Sequence, residues 1–151
     1  MCSLPTKVLV IEDDAQILEF ITSLVEKAVP TALIYQAENY SKAQEVIHEE
    51  DKLSLIIADK VLPDGDGIKI LDEVRESGNL ETRMIVVSGY PKPDDSPYHH
   101  MPKPLHVKEF AAEVKNRVAN WRAYQSIEES IKLLDQTVIN IRNMGAGRGN
   151  I

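Results

Sequence analysis

Asp59 closes the most apolar stretch of the chain, Leu53-Ser54-Leu55-Ile56-Ile57-Ala58, and Pro63-Asp64-Gly65-Asp66-Gly67 follows four residues later. A lone carboxylate at the exit of a buried strand stands where open parallel sheets bind their ligands. Three further strand-like runs also end on polar residues. Lys7 to Ile11 runs into Glu12-Asp13-Asp14, Arg83 to Val87 into Ser88-Gly89, and His99 to Pro102 into Lys103-Pro104. With these strands parallel, one sheet edge gathers at least three carboxylates, a hydroxyl and an ammonium. Carboxylates so close raise one another's pKa unless a cation joins them, and an all-oxygen cluster suits magnesium, which keeps waters and binds carboxylates together with phosphate oxygens. The residue types point to phosphoryl transfer. Each has an ordinary reading when taken singly: Asp14 as a helix N-cap, Glu12 or Asp13 as first-turn charges, Asp59 as a turn residue, Lys103 as a solvated lysine. Their joint occurrence at strand ends favours the chemistry.

The elements that must position these residues alternate. Strands are expected at Lys7 to Ile11, Ala32 to Gln36, Leu53 to Ala58, Arg83 to Ser88 and about His99 to Pro102. Helices are expected at Ala15 to Ala28, with Ile17, Ile21, Leu24 and Val25 on one face, at Ser41 to Glu49 with Ser41 as N-cap, and at Gly67 to Glu76 with Ile70, Leu71 and Val74 inward. Such alternation implies an α/β domain, a parallel sheet with helices on both faces and right-handed crossovers.

Over residues 6 to about 120 the chain resembles a response-regulator receiver domain of two-component signalling. The resemblance rests on Glu12-Asp13, Asp59, the Asp-x-x-x-Pro-x-x-Asp-Gly run from Asp59 to Gly67, Ser88 and Lys103-Pro104, in the family's order. It implies a flavodoxin-like, doubly wound five-stranded parallel sheet. It also implies that Asp59 takes a phosphoryl group from a sensor histidine kinase or a phosphotransfer protein. Mg2+ would then be held by Asp13, by Glu12 through water, by Asp59 and by the carbonyl of Val61. Lys103 would pair with one phosphoryl oxygen, Ser88 would bond another, and the Lys103–Pro104 bond would be cis. Many receivers carry an aromatic switch residue three positions before the lysine. His100 stands there, so the usual switch is altered. Val61 and Tyr90 stand where receivers tune access of hydrolytic water, and their bulk implies slow loss of phosphate. His99, His100 and His106 fit no standard metal motif and are read as surface histidines.

Between Ser88 and Lys103 lie fourteen residues that include Pro91, Pro93, Pro97 and Pro102. A proline inside a helix costs about 3 kcal/mol, so the fourth helix that receivers ordinarily place here is reduced or absent. The final helix begins near His106 or Val107, with Phe110, Val114 and Val118 inward, and meets no Pro or Gly before Gly145. Tyr124, Ile127, Ile131, Leu134, Val138 and Ile141 recur at spacings of 3 and 4, the seam of a short coiled coil. The organisation expected is a receiver over 1–120, a helical extension over 121–144 and a flexible tail over 145–151, with a homodimer formed through the extension. The competing expectation is that the extension folds back on its own domain.

Composition bounds the partners. Residues 1–120 hold 13 Lys and Arg against 21 Asp and Glu, so no basic stripe serves a nucleic-acid backbone. The single cysteine, Cys2, makes no internal disulfide and is expected at a mobile terminus. The longest apolar runs are far shorter than the roughly 20 residues of a membrane span, and without a signal-peptide pattern a cytoplasmic location is expected. Two other functions remain in view. One is a constitutive dimerising pseudo-receiver scaffold. The other is a Mg2+-dependent phosphohydrolase with Asp59 as nucleophile, which Val61 disfavours because one such superfamily carries a second Asp at that place.

Overall fold

The computed structural model describes residues 2–148. The order is β1 (Lys7–Ile11), α1 (Ala15–Ala28), β2 (Leu33–Ala37), α2 (Tyr40–Glu49), β3 (Leu55–Asp59), the short β4 (Val61–Leu62) and β5 (Gly65–Asp66), α3 (Gly67–Glu76), β6 (Arg83–Ser88), β7 (His99–Pro102) and α4 (Val107–Arg148). Five strands form one parallel sheet in the order β2-β1-β3-β6-β7, and β4 and β5 pair as a separate antiparallel ribbon. The three central strands are apolar at nearly every position because both faces are covered. Leu9, Ile56, Ala58 and Val86 pack with Ile70, Leu71 and Val74 of α3, while Val8, Val10, Ile57 and Ile85 pack with Ile21 and Val25 of α1 and Phe110 and Val114 of α4. The doubly wound, flavodoxin-like sheet expected from the sequence is present.

Several details depart from the sequence reading. β2 lies one residue later than expected, because its register is set by pairing Lys7 with Leu33 and Ile11 with Ala37. The cap of α2 is Asn39 rather than Ser41: the Asn39 side chain accepts from the Lys42 N–H at 2.8 Å. Ser41 lies inside the helix, where its N–H and hydroxyl donate to Asp64 at 3.1 and 3.2 Å. Asp14 caps α1 as expected, accepting from the Gln16 and Ile17 N–H groups.

No helix separates β6 from β7. Instead Tyr98 is buried at 5 % exposure against the α2 and α3 face, its hydroxyl donates to Asp72, and Arg75 stacks 5.6 Å from its ring. The prolines forbid a helix, and one aromatic side chain fills part of the space beside the sheet.

α4 differs from expectation at both boundaries of the extension. Trp121 and Gln125 are buried, Gln125 donates to Glu81 at 2.8 Å, and Ser3 bonds Glu129 at 2.7 Å, so attachment to the domain reaches beyond 120, to about 129. Gly145 does not stop the helix, which continues to Arg148. A helical glycine costs only about 1 kcal/mol relative to alanine and forces no end. The expected flexible tail falls partly outside the described residues, since 149–151 are not among them. Cys2, expected at a mobile terminus, is buried, and its carbonyl accepts from Arg122 at 3.3 Å. From Ser130 to Ala146 every residue is exposed, so the extension does not fold back on its own domain.

Candidate functional site

β1, β3, β6 and β7 run parallel, so their carboxyl ends open together. β3 ends on Asp59, which sits in register with Val87 of β6. β1 is continued by Glu12, whose N–H donates to the Ala37 carbonyl at 3.0 Å. Glu12 and Asp59 are buried, at 1 % and 8 % exposure, while Asp13 faces solvent. One oxygen from each of the three carboxylates lies within 4.8 Å of the others. β7 brings in Lys103, whose N–H donates to the Ser88 carbonyl at 2.9 Å. The Lys103–Pro104 peptide bond is cis. The Lys103 ammonium stands 3.1 Å from Glu12 Oε2 and 3.1 Å from Asp59 Oδ2.

This crowding has an electrostatic signature. Burial, reinforced by the Asp59 charge and opposed by the Lys103 hydrogen bond, pushes Glu12 up to about 7. Burial alone would lower Lys103, but hydrogen bonds to Asp59 and Glu12 outweigh it and hold the ammonium above its ordinary value. One lysine thus compensates part of the negative charge of three carboxylates. The remaining demand for cationic charge, with oxygen-only donors, fits a hard divalent ion such as magnesium.

Around the acceptor, backbone geometry is tight. The Val61 N–H donates to Asp59 Oδ1 at 3.2 Å. The Gly67 N–H donates to the Lys60 carbonyl at 2.9 Å, and a Cβ at Gly67 would lie 1.8 Å from the Asp59 carbonyl oxygen. Only glycine permits that approach. Asp66 caps α3 by accepting from Ile68 at 2.8 Å, and Asp64 reaches across to α2, so β4 and β5 tie the Asp59 loop to two helices.

The structure brings Glu12, Asp13, Asp59 and Lys103 together, with Ser88 on the same edge. The Ser88 hydroxyl, 2 % exposed with its residue, accepts from the Tyr90 N–H at 3.0 Å within its own loop. His100 is not a surface histidine in the sense expected: its Nε2 lies 2.7 Å from Ser96 Oγ and its Nδ1 is buried without a partner. Burial first, then Lys92, Lys60 and His99, holds its pKa below the ordinary value. Tyr124, Ile127, Ile131, Leu134, Val138 and Ile141 lie away from this edge on α4 and are exposed. Sequence reasoning passed over Lys60, which follows Asp59 in the chain and whose ammonium sits 5.6 Å from the Tyr90 ring. Its position immediately after Asp59 was the available signal. An apolar hollow of about 420 Å³ is lined by Ile17, Phe20, Val87, Lys103, Pro104 and Leu105.

Residues 8–97 match the family described as response regulator receiver domain. The probable C4-dicarboxylate response regulator DctR of Bacillus subtilis is 37% identical over 82 residues, covering 54% of this chain and 35% of that protein. The sensor kinase CckA of Brucella abortus is 29% identical over 90 residues, covering 54% of this chain and 9% of that protein. The chain therefore spans well under half the length of the curated relatives it matches. Among solved structures, a CheY-like receiver domain protein from Methanospirillum hungatei superposes with a TM-score of 0.69 at 19% identity, covering 80% of this chain and 99% of that one. A signal receiver domain from Colwellia psychrerythraea gives 0.68 at 22% identity, covering 76% and 98%.

Proposed function

The chain belongs to the response-regulator receiver domain family, and from that premise we propose that it is a phospho-accepting receiver in which Asp59 takes a phosphoryl group from a histidine kinase or phosphotransfer protein. The observation that carries the reading is the acceptor's setting: Asp59 lies at the end of a buried strand with two carboxylates and one ammonium around it. A carboxylate oxygen of Asp59 forms the new bond to phosphorus as the donor's phosphorus–nitrogen bond breaks. Glu12, Asp13, Asp59 and the carbonyl of Val61 would hold Mg2+, which when bound supplies positive charge to the phosphoryl oxygens. Lys103 supplies a second positive charge from within the chain, and Ser88 Oγ donates to the phosphoryl group once it leaves the Tyr90 N–H. The apolar hollow beside Lys103, with Phe20 45 % exposed, suits the docking of a donor next to the acceptor.

For output, the extension offers a seam. Ile127, Ile131, Leu134, Val138 and Ile141 are all uncovered within the chain, and an apolar heptad seam of this kind is complementary to a second copy of itself. We place the homodimer there. The absence of a helix between β6 and β7 leaves the Ser88-to-Lys103 loop, with Ser96 and His100, as the route by which a change at Asp59 reaches α4. Incubation with a small phosphodonor and magnesium, read by intact mass, tests the acceptor. One phosphate is expected on the native chain and none on Asp59→Asn; an adduct that persists in that variant overturns the assignment.

A further inference from the structure

A groove at the opposite end of β6 from the acceptor has a composition that phosphoacceptance does not use. Its lining is Arg75, Leu80, Thr82, Arg83, Met84, Pro97, Tyr98, His99 and Arg117, and its volume is about 160 Å³. Three of the chain's six arginines and one of its four histidines converge there, and none of the lining residues is acidic, in a chain with 24 Asp and Glu. The sequence explains why the groove is open. Pro97 has no N–H to give to a ladder, and β7 pairs with β6 only from Ile85 onward, so Arg83 and Met84 have no strand beside them on that side.

The guanidinium groups are held rather than free to wander. Arg75 stacks 5.6 Å from the Tyr98 ring and Arg83 lies 6.0 Å from the Tyr124 ring. Arg117 is compensated, since its Nε donates to Glu113 at 2.5 Å, and the same carboxylate stands 4.0 Å from His99. Arg75 and Arg83 have no ion pair among the described residues, and Arg83 Nε is buried with no hydrogen-bond acceptor. A buried N–H on a cation is costly to leave unpaired, and a planar guanidinium fork is the geometry that recognises carboxylate or phosphoryl oxygens.

We propose that this groove is a binding site for an oxyanion, a phosphoryl or carboxylate group seated between Arg75 and Arg83 and held by their terminal guanidinium N–H groups. The site goes beyond the phosphoacceptor reading and does not depend on it. The two aromatic rings would preset both cations for the ligand.

The test is a titration of the isotopically labelled full chain without magnesium, followed by NMR, with inorganic phosphate in one arm and acetate in another. Chloride at matched ionic strength provides the reference. Saturable shifts are expected at the amides of Leu80 to Met84, Tyr98 and His99 and at the Arg83 side chain, with the Asp59 loop unmoved. Whichever of phosphate and acetate saturates at lower concentration identifies the chemistry of the natural group. Arg83→Gln and Arg83→Lys should each weaken binding by about tenfold, the latter because charge without the fork is insufficient. Arg75→Gln, at an exposed position, should weaken it as well, while Lys115→Gln, which removes the same charge elsewhere, should not. Shifts no different from those in chloride, shifts centred on Asp59, or affinity undiminished in the well-folded Arg75 and Arg83 variants would overturn the proposal.

Discussion

Gly67→Ala puts the coupling between fold and acceptor to the test. An alanine Cβ built on the existing backbone would lie 1.8 Å from the Asp59 carbonyl oxygen and 2.9 Å from its carbonyl carbon. Both are backbone atoms, so no side-chain rotation relieves the clash. Ordinary contact requires the two segments to part by about 1.5 Å, which lengthens the Gly67 N–H bond to the Lys60 carbonyl and carries Asp59 with it. Overpacking of this kind costs about 1–3 kcal/mol, and the lost backbone hydrogen bond adds about 1 kcal/mol. Phosphorylation should suffer more than stability, because displacement by about 1 Å in a positioned reaction costs about a hundredfold in rate. Gly89→Ala is the control: a Cβ there meets nothing within 4 Å, and it should be near neutral in stability. Urea unfolding gives the stability change, and the time course of the phosphate adduct by mass spectrometry gives the rate. A Gly67→Ala chain with native stability and a native phosphorylation rate would refute the reasoning.

Asp13→Asn should weaken magnesium binding far more than Asp14→Asn, because Asp13 offers an oxygen to the acidic cluster while Asp14 is spent on the Gln16 and Ile17 N–H groups; calorimetry reads both, and equal losses would refute the division. Ile131→Asp with Leu134→Asp should leave the receiver folded and yield monomers, since both side chains lie beyond the attached part of α4, and each seam residue fully buried stabilises association by about 1.5–3 kcal/mol. Sedimentation decides it, a monomeric native chain being the refuting result. His100 has its pKa lowered from 6.5, chiefly by burial, so the unfolded chain takes up that proton more readily than the folded one. Its contribution should therefore be intact above pH 6.5 and be lost as pH falls through the window below it. His100→Asn should flatten that part of the stability profile in urea unfolding measured on both sides of pH 6.5, and an unchanged profile would refute the assignment.

The core strands and the acceptor edge were legible in the sequence for a local reason. Strands covered on both faces must be apolar at consecutive positions, as in Leu55-Ile56-Ile57-Ala58, so the polar residue that ends each run stands out. Once alternation made the strands parallel, Glu12, Asp59, Ser88 and Lys103 had to share one edge without any knowledge of distances. The prolines from Pro91 to Pro102 likewise excluded a helix through chemistry carried by each residue alone.

Tertiary structure decided what local pattern leaves degenerate. Asn39 and Ser41 are both good N-caps, and Asp64, more than twenty residues away, engages Ser41 so that Asn39 takes the end. Trp121 and Gln125 carry the same helical periodicity whether or not the domain reaches them, and Glu81 and the strap of Cys2 and Ser3 settle that it does. Nothing near His100 announces that its Nδ1 is buried or that Ser96 turns toward it. The same holds for the meeting of Arg75, Arg83 and Arg117, which come from three elements and are brought to one groove by sheet order and the packing of α3 and α4. Periodicity and composition specify what each segment can bury or chelate; which distant segment supplies the partner depends on three-dimensional packing, whose contacts span separations that no local pattern encodes.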